Sequence, residues 1–109
     1  MNWIPLQTES QLEDIKAKSA NRHQLIFKHS TRCSTSAVVK GRLERAEKPE
    51  AIDFYYLDLI NNRPMSNKVA DLFKIDHESP QVLLIRDGQC IYDESHMGIT
   101  MADIVEAAA

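Results

Sequence analysis

Cys33 is the residue whose type and surroundings point most directly to covalent chemistry. It follows a short apolar segment at residues 24–28 and precedes a helical pattern that starts near Ser34, so it should lie where a strand passes into a helix. Unpaired backbone N–H groups and the helix dipole at such a junction favour the nucleophilic thiolate. Arg32 adds a positive charge. The position predicts a reactive thiol, and the alternative is a small apolar filler at a helix start.

Ser36 completes a C-x-x-S motif with Cys33. Three residues span about one helical turn, so the Ser36 hydroxyl is expected to donate a hydrogen bond to the Cys33 thiolate. A second cysteine at this position would make a dithiol couple, whereas a serine cannot form a disulfide. The motif therefore indicates chemistry that depends on one sulfur.

Ser79 and Pro80 open a strand that is expected to lie beside the Cys33 strand, at the same end of the sheet. X–Pro bonds are the usual sites of cis peptides, and a cis proline here would expose backbone groups to an extended substrate. An ordinary trans proline at the start of a strand is the alternative.

Cys90 is expected to be a strand filler and no partner of Cys33. Pairing across the Asp-Gly turn at residues 87–88 places it opposite Ile85, five residues from Pro80. At ~3.3 Å per residue, this separation is roughly 16 Å. A disulfide requires Cα atoms within about 7 Å.

The elements that must position these residues follow from apolar periodicity and turn signals. Strands are predicted at residues 24–28, 51–58, 81–86 and 89–93, with a brief edge strand at 3–5. Helices are predicted after Thr8 or Ser10, over residues 34–47, after residues 61–64 and over residues 100–109, with Thr100 as the cap of the last.

The first two helices have predicted inner faces. The first face consists of Leu12, Ile15, Ser19 and Ala20, and the second consists of Ala37, Val38, Leu43 and Ala46.

The alternation of strands and helices followed by a hairpin is the thioredoxin-like order. It predicts an α/β fold in which a central mixed sheet of four to five strands is flanked by helices on both faces. A length of 109 residues suits a single domain over residues 1–109.

Composition argues against some classes of partner and location. A net charge of −3 argues against a nucleic-acid partner, and no apolar run reaches the ~20 residues of a membrane span. The polar, acidic start of the chain does not resemble a secretory signal, so the two cysteines are expected to be thiols in the cytoplasm.

Three segments carry a family resemblance. They read FKHSTRCSTS at residues 27–36, PMSNKVA at 64–70 and HESPQ at 77–81. Together they resemble the bacillithiol-system monothiol thioredoxin-like proteins, the YtxJ-like monothiol bacilliredoxins that are also grouped with general stress proteins. The resemblance extends over nearly the whole chain. Ser34 is a departure, because family members often carry a proline there that preorganises the first helical turn.

The resemblance implies a monothiol thiol-disulfide oxidoreductase that exchanges with protein–bacillithiol mixed disulfides under oxidative stress. Cys33 matches the active cysteine, Ser36 the serine of the motif and Pro80 the cis-proline. Phe27 stands six residues before Cys33, where dithiol thioredoxins place a buried acid, and this suits a monothiol cycle. The partners would be S-thiolated client proteins and a low-molecular-weight thiol as co-substrate, with no resident cofactor.

The rim of the site is expected to come from neighbouring polar side chains. Lys28 and Arg32 are candidates to bind carboxylates of a small thiol. His29 and His77 are further candidates for the rim, and Ser79 and Pro80 are candidates for substrate binding. For each charged residue, a solvated surface position is the alternative.

Three other functions remain open. One is a thioredoxin-like module that binds stress partners without catalysis. Another is a monothiol glutaredoxin-type iron–sulfur carrier, although the Gly-Gly clamp of such proteins has only Gly98 as a counterpart here. A zinc site from Cys33, His29, His77 and His96 would need ligands from separate loops, so no metal is expected.

Overall fold

The computed structural model describes residues 1–109. Its elements in chain order are β1 (Ile4–Pro5), α1 (Glu9–Lys18), β2 (His23–His29), α2 (Ser34–Arg45), β3 (Ile52–Asp58), α3 (Arg63–Phe73), β4 (Gln81–Arg86), β5 (Gln89–Ser95), a 3₁₀ turn (His96–Gly98) and α4 (Met101–Ala107). No helix among them is long and apolar enough to span a membrane.

The five strands form one mixed sheet in the order β1-β3-β2-β4-β5. β2 is central, and it pairs in parallel with β3 and antiparallel with β4. The hairpin of β4 and β5 forms one edge, and the short β1 forms the other. The predicted mixed sheet is confirmed.

Each face of the sheet buries its own apolar core. Successive residues of a strand point to opposite faces, so Ile26 packs with α1 and α3 while Phe27 packs with α2 and α4. A central strand covered on both faces exposes almost nothing, and residues 24–29 of β2 are all buried.

Local sequence explains where helices begin. The Thr8 hydroxyl accepts a hydrogen bond from the Gln11 backbone N–H, and the Gln11 side chain bonds back to the Thr8 backbone, so α1 begins with a full capping box. The Thr100 hydroxyl accepts from the Asp103 N–H at the start of α4, which confirms the predicted cap.

The predicted inner faces of α1 and α2 were partly wrong. α2 buries Ser36, Val39 and Leu43, whereas Ala37 is exposed and Val38 is 50% exposed. Positions i, i+3 and i+7 place these three side chains on one helix face, and the bulk of Val39 outweighs the polarity of Ser36. Ala20 is exposed because α1 ends at Lys18.

Candidate functional site

Cys33 is the N-cap residue of the twelve-residue helix α2, with extended φ and ψ of −107° and 119°. Its N–H donates to the Ser30 carbonyl at 3.1 Å, and its own carbonyl accepts from the Ala37 N–H at 3.1 Å. The thiol is free and partly exposed, and no acidic side chain lies in the first helical turn. The sulfur therefore sits at the electropositive end of α2, at the junction of strand and helix that the sequence predicted, and its reactivity stays a prediction.

Ser36 points into the protein and makes no hydrogen bond to the Cys33 sulfur, contrary to expectation. Its Oγ accepts from the Ser30 N–H at 3.1 Å and lies 2.7 Å from Nδ1 of His29. The register that packs Val39 against the sheet also turns Ser36 inward. Ser36 therefore holds the loop that carries Cys33.

His29 is buried at 5% exposure, so it does not form part of the predicted rim. Its ring lies 5.7 Å from that of Phe27 and 5.4 Å from that of Tyr56. Burial, helped by the charge of Lys40, lowers the pKa of His29 below its usual 6.5. The imidazole is therefore neutral at physiological pH.

Lys28 is fully buried, so the predicted contact with a small-thiol carboxylate at the rim was wrong. It points to the α3 face of β2, where Nζ donates to the Ser66 carbonyl at 3.2 Å and lies 3.3 Å from His77 Nδ1. Burial lowers the pKa of Lys28 to about 8.

Ser66, whose carbonyl accepts the hydrogen bond from Lys28, is a polar residue near the site that the sequence analysis missed. It is buried on the inner face of α3 with Met65, Val69 and Phe73. A serine within such an apolar stripe is the signal that could have identified a buried polar partner.

Arg32, Ser79 and Pro80 remain candidates for contact with a substrate. Arg32 is exposed, and no hydrogen bond or ion pair engages its guanidinium. The Ser79–Pro80 peptide bond is cis. Lys28 pairs with Gln81 in the antiparallel ladder of β2 and β4. Pro80, the residue before Gln81, therefore lies beside the end of β2 that leads to Cys33. Ser79 Oγ is buried without a hydrogen-bond partner.

Cys90 is partly buried and packs against the core on the α1 and α3 side of the sheet. It pairs with Ile85 across the hairpin turn, as predicted, and the positive φ of Asp87 (52°) and Gly88 (75°) suits that tight connection. The thiol donates to the Tyr92 carbonyl at 3.3 Å, and burial raises the pKa of Cys90 to about 11. Both cysteines are free, and Cys90 packs as the filler that was expected.

The histidines at this end of the sheet do not converge on Cys33. His29 bonds to Ser36, His77 contacts Lys28 on the opposite face, and His96 Nε2 lies 3.2 Å from Glu78. No group of three or more His, Cys, Asp or Glu side chains is arranged to hold a metal ion.

Comparison with solved structures finds the thioredoxin fold. One structure, described as a candidate oxidoreductase with this fold, has a TM-score of 0.84 and 25% identity over 97% of this chain and 93% of its own. Thioredoxin from Fasciola hepatica has a TM-score of 0.74 and 17% identity, with 94% of this chain and 93% of its own covered. Thioredoxin from Trypanosoma brucei brucei has a TM-score of 0.74 and 15% identity, covering 96% and 92%.

Most of the chain also matches the model of one protein family. The model described as "Monothiol bacilliredoxin BrxC" matches residues 4–104, which include Cys33, Ser36 and Pro80. Family and fold together give the protein a role of the thiol oxidoreductase type. The chain belongs to the monothiol bacilliredoxin BrxC family and has a thioredoxin fold, as its sequence motifs predicted.

Proposed function

We propose that the protein is a monothiol thiol-disulfide oxidoreductase whose Cys33 removes bacillithiol, or a similar low-molecular-weight thiol, from S-thiolated client proteins. The observation that carries this proposal is a free, partly exposed thiol at the N-cap of α2, with a serine in place of a second cysteine three residues later. Such a thiol can exchange disulfides but cannot close an internal one.

The cycle has two balanced steps. The Cys33 thiolate attacks the small-thiol sulfur of the mixed disulfide, that S–S bond breaks, and the client leaves as a thiolate that takes a proton from solvent. A second small-thiol thiolate then attacks the new disulfide on Cys33. This step releases the Cys33 thiolate and the symmetrical small-thiol disulfide, so the client is reduced at the expense of one free small thiol, which leaves joined to the small thiol removed from the client.

The first test is intact-mass spectrometry of the reduced protein after exposure to a bacillithiol mixed disulfide. We expect one adduct, located on Cys33 and discharged by excess free bacillithiol, because Cys33 is the thiol at the helix end. Cys33→Ser should form no adduct, and Cys90→Ser should behave as wild type. An equal adduct on both cysteines would reject the proposal and favour a binding module without catalysis.

Arg32 is the exposed cation next to Cys33, and we propose that it attracts a carboxylate of the small thiol. Arg32→Ala should raise the KM for a bacillithiol mixed disulfide about two- to fivefold, because exposed ion pairs contribute little. The difference should shrink in about 0.5 M salt, which screens such pairs. Arg45→Ala, which removes an exposed arginine at the far end of α2, is the matched control. An unchanged KM in Arg32→Ala would remove this residue from the site.

A further inference from the structure

Lys28, Ser66 and His77 form a closed polar cluster beneath the N-terminal part of α3. Lys28 Nζ donates to the Ser66 carbonyl at 3.2 Å and lies 3.3 Å from His77 Nδ1, and Ser66 Oγ lies 3.1 Å from the same nitrogen. Lys28 is fully buried, whereas His77 is exposed and its Nε2 has no hydrogen-bond partner in the protein. Nδ1 of the imidazole therefore contacts polar groups within the protein, whereas Nε2 is available to a ligand.

The hydrogen-bond partners of His77 indicate which of its two ring nitrogens carries the proton. A lysine ammonium has three donors and no lone pair, so the nitrogen that faces it must supply the lone pair. Nδ1 of His77 is therefore bare, and its proton resides on Nε2. Burial, together with the charges of Lys28 and Arg63, lowers the pKa of His77 below 6.5 against the opposing effect of Glu78, so the ring stays neutral at physiological pH.

The cluster also braces the segment that leads to Ser79 and Pro80. The side chain of Gln81, the first residue of β4, reaches back to this segment, where it donates to the Asp76 carbonyl at 3.0 Å and accepts from the Glu78 N–H at 3.5 Å. His77 gives the segment a second internal attachment, through Lys28 to the central strand β2. The position of residues 76–80 is thus set by two buried polar side chains.

We propose that Lys28 is a positioning residue that fixes His77 as its Nε2–H tautomer, so that a neutral N–H donor faces an oxygen acceptor of the disulfide substrate beside the Ser79–Pro80 segment. The substrate half of this proposal rests on the proposed function, whereas the tautomer half does not. A neutral donor bonds to carboxylate and carbonyl oxygens alike. The acceptor can therefore belong to the small thiol or to the client peptide, and the choice of substrate in the experiment distinguishes them.

The tautomer is tested by long-range ¹H–¹⁵N NMR of the histidine rings. At pH 7 we expect the Nε2–H tautomer for His77 in the wild type and a shift toward Nδ1–H in Lys28→Met, where Ser66 Oγ is free to accept that proton. Lys68→Met, which removes an exposed lysine paired with Glu9, should keep the wild-type pattern. Raising the pH through about 8 should loosen the preference only when Lys28 is present, because its ammonium is lost there. An Nδ1–H tautomer in the wild type, or an unchanged tautomer in Lys28→Met, would overturn the proposal.

The donor role is tested by exchange kinetics on the same variants. Lys28→Met and His77→Phe should both lower kcat/KM about three- to tenfold, the effect of one lost hydrogen bond, while alkylation of Cys33 by iodoacetamide keeps its rate. A loss with symmetrical bacillithiol disulfide places the acceptor on the small thiol, and a loss confined to a peptide–bacillithiol disulfide places it on the peptide. A changed tautomer with unchanged kcat/KM on both substrates would overturn the donor role. Absence of exchange in the wild type would instead reject the proposed function and with it the donor role, and the NMR result would still decide the tautomer.

Discussion

Iodoacetamide should alkylate Cys33 at least about a hundredfold faster than Cys90 at pH 7, and Cys33→Ser should lose the fast reaction. Burial raises the pKa of Cys90 to about 11, so about one molecule in 10⁴ carries its thiolate at pH 7. An ordinary thiol is about 3% ionised at that pH, so Cys90 carries several hundredfold less thiolate than such a thiol. Cys33 is partly exposed at the start of α2, where the reagent can reach its sulfur.

The rate of each cysteine is read by mass spectrometry of peptides from timed samples. Cys90→Ser should retain the full fast phase, and urea-unfolded protein should label both positions at similar rates, because the difference arises from folding. Comparable rates in the native protein would show that neither thiol is privileged, and they would also weaken the exchange cycle.

The free energy of unfolding of Lys28→Met, relative to wild type, should fall by about 3 kcal/mol between pH 7 and pH 10.5. The folded protein holds the Lys28 proton only up to about pH 8, whereas the unfolded chain keeps it up to about 10.5. Between these values the unfolded state binds more protons, so wild-type stability rises with pH through this group. Methionine has nearly the same length and no proton, so the variant lacks that rise.

Urea unfolding of both proteins at pH 7, 8.5 and 10.5 measures the difference. Comparing the two proteins at each pH matters because the raised pKa of Cys90 acts in the opposite direction, lowering stability from about pH 9 upwards, and it cancels in the comparison. Lys68→Met should show a stability difference from wild type that does not change over this range. A constant difference for Lys28→Met as well would mean that the buried amine keeps an ordinary affinity for protons.

The elements of the fold could be predicted because their signals are local. Apolar runs marked the central strands, Asp87-Gly88 marked the hairpin, and the order of strands and helices fixed the sheet. Cys33 was equally accessible to prediction, since the junction of a strand and a helix is a local property. The orientation of side chains around it depends on packing between distant elements.

Lys28 and His29 show what the sequence analysis overlooked. Their polarity suggested a surface rim, yet the predicted order already made β2 the central strand, and a central strand in this fold is covered on both faces. The burial of Lys28 therefore followed from the predicted topology, whereas the predicted strand ended at residue 28 and the structure extends it to include His29. Ser36 is different, because Ala37 and Val38 offered an equally apolar alternative face, and only the packing of Val39 and Leu43 decides the register of α2.

Trp3 is the protein's only tryptophan, and its surroundings make it an intrinsic fluorophore for the site. Its ring stacks at 5.4 Å on Phe27 and lies 6.0 Å from Tyr56, and both of these rings contact His29, the partner of Ser36. A change in the conformation of the Cys33 loop would thus reach the Trp3 indole through Ser36, His29 and the rings of Phe27 and Tyr56. If Cys33 exchanges disulfides as proposed, we expect the emission of the unlabelled chain to change as each disulfide forms and is discharged, and stopped-flow fluorescence would record that change.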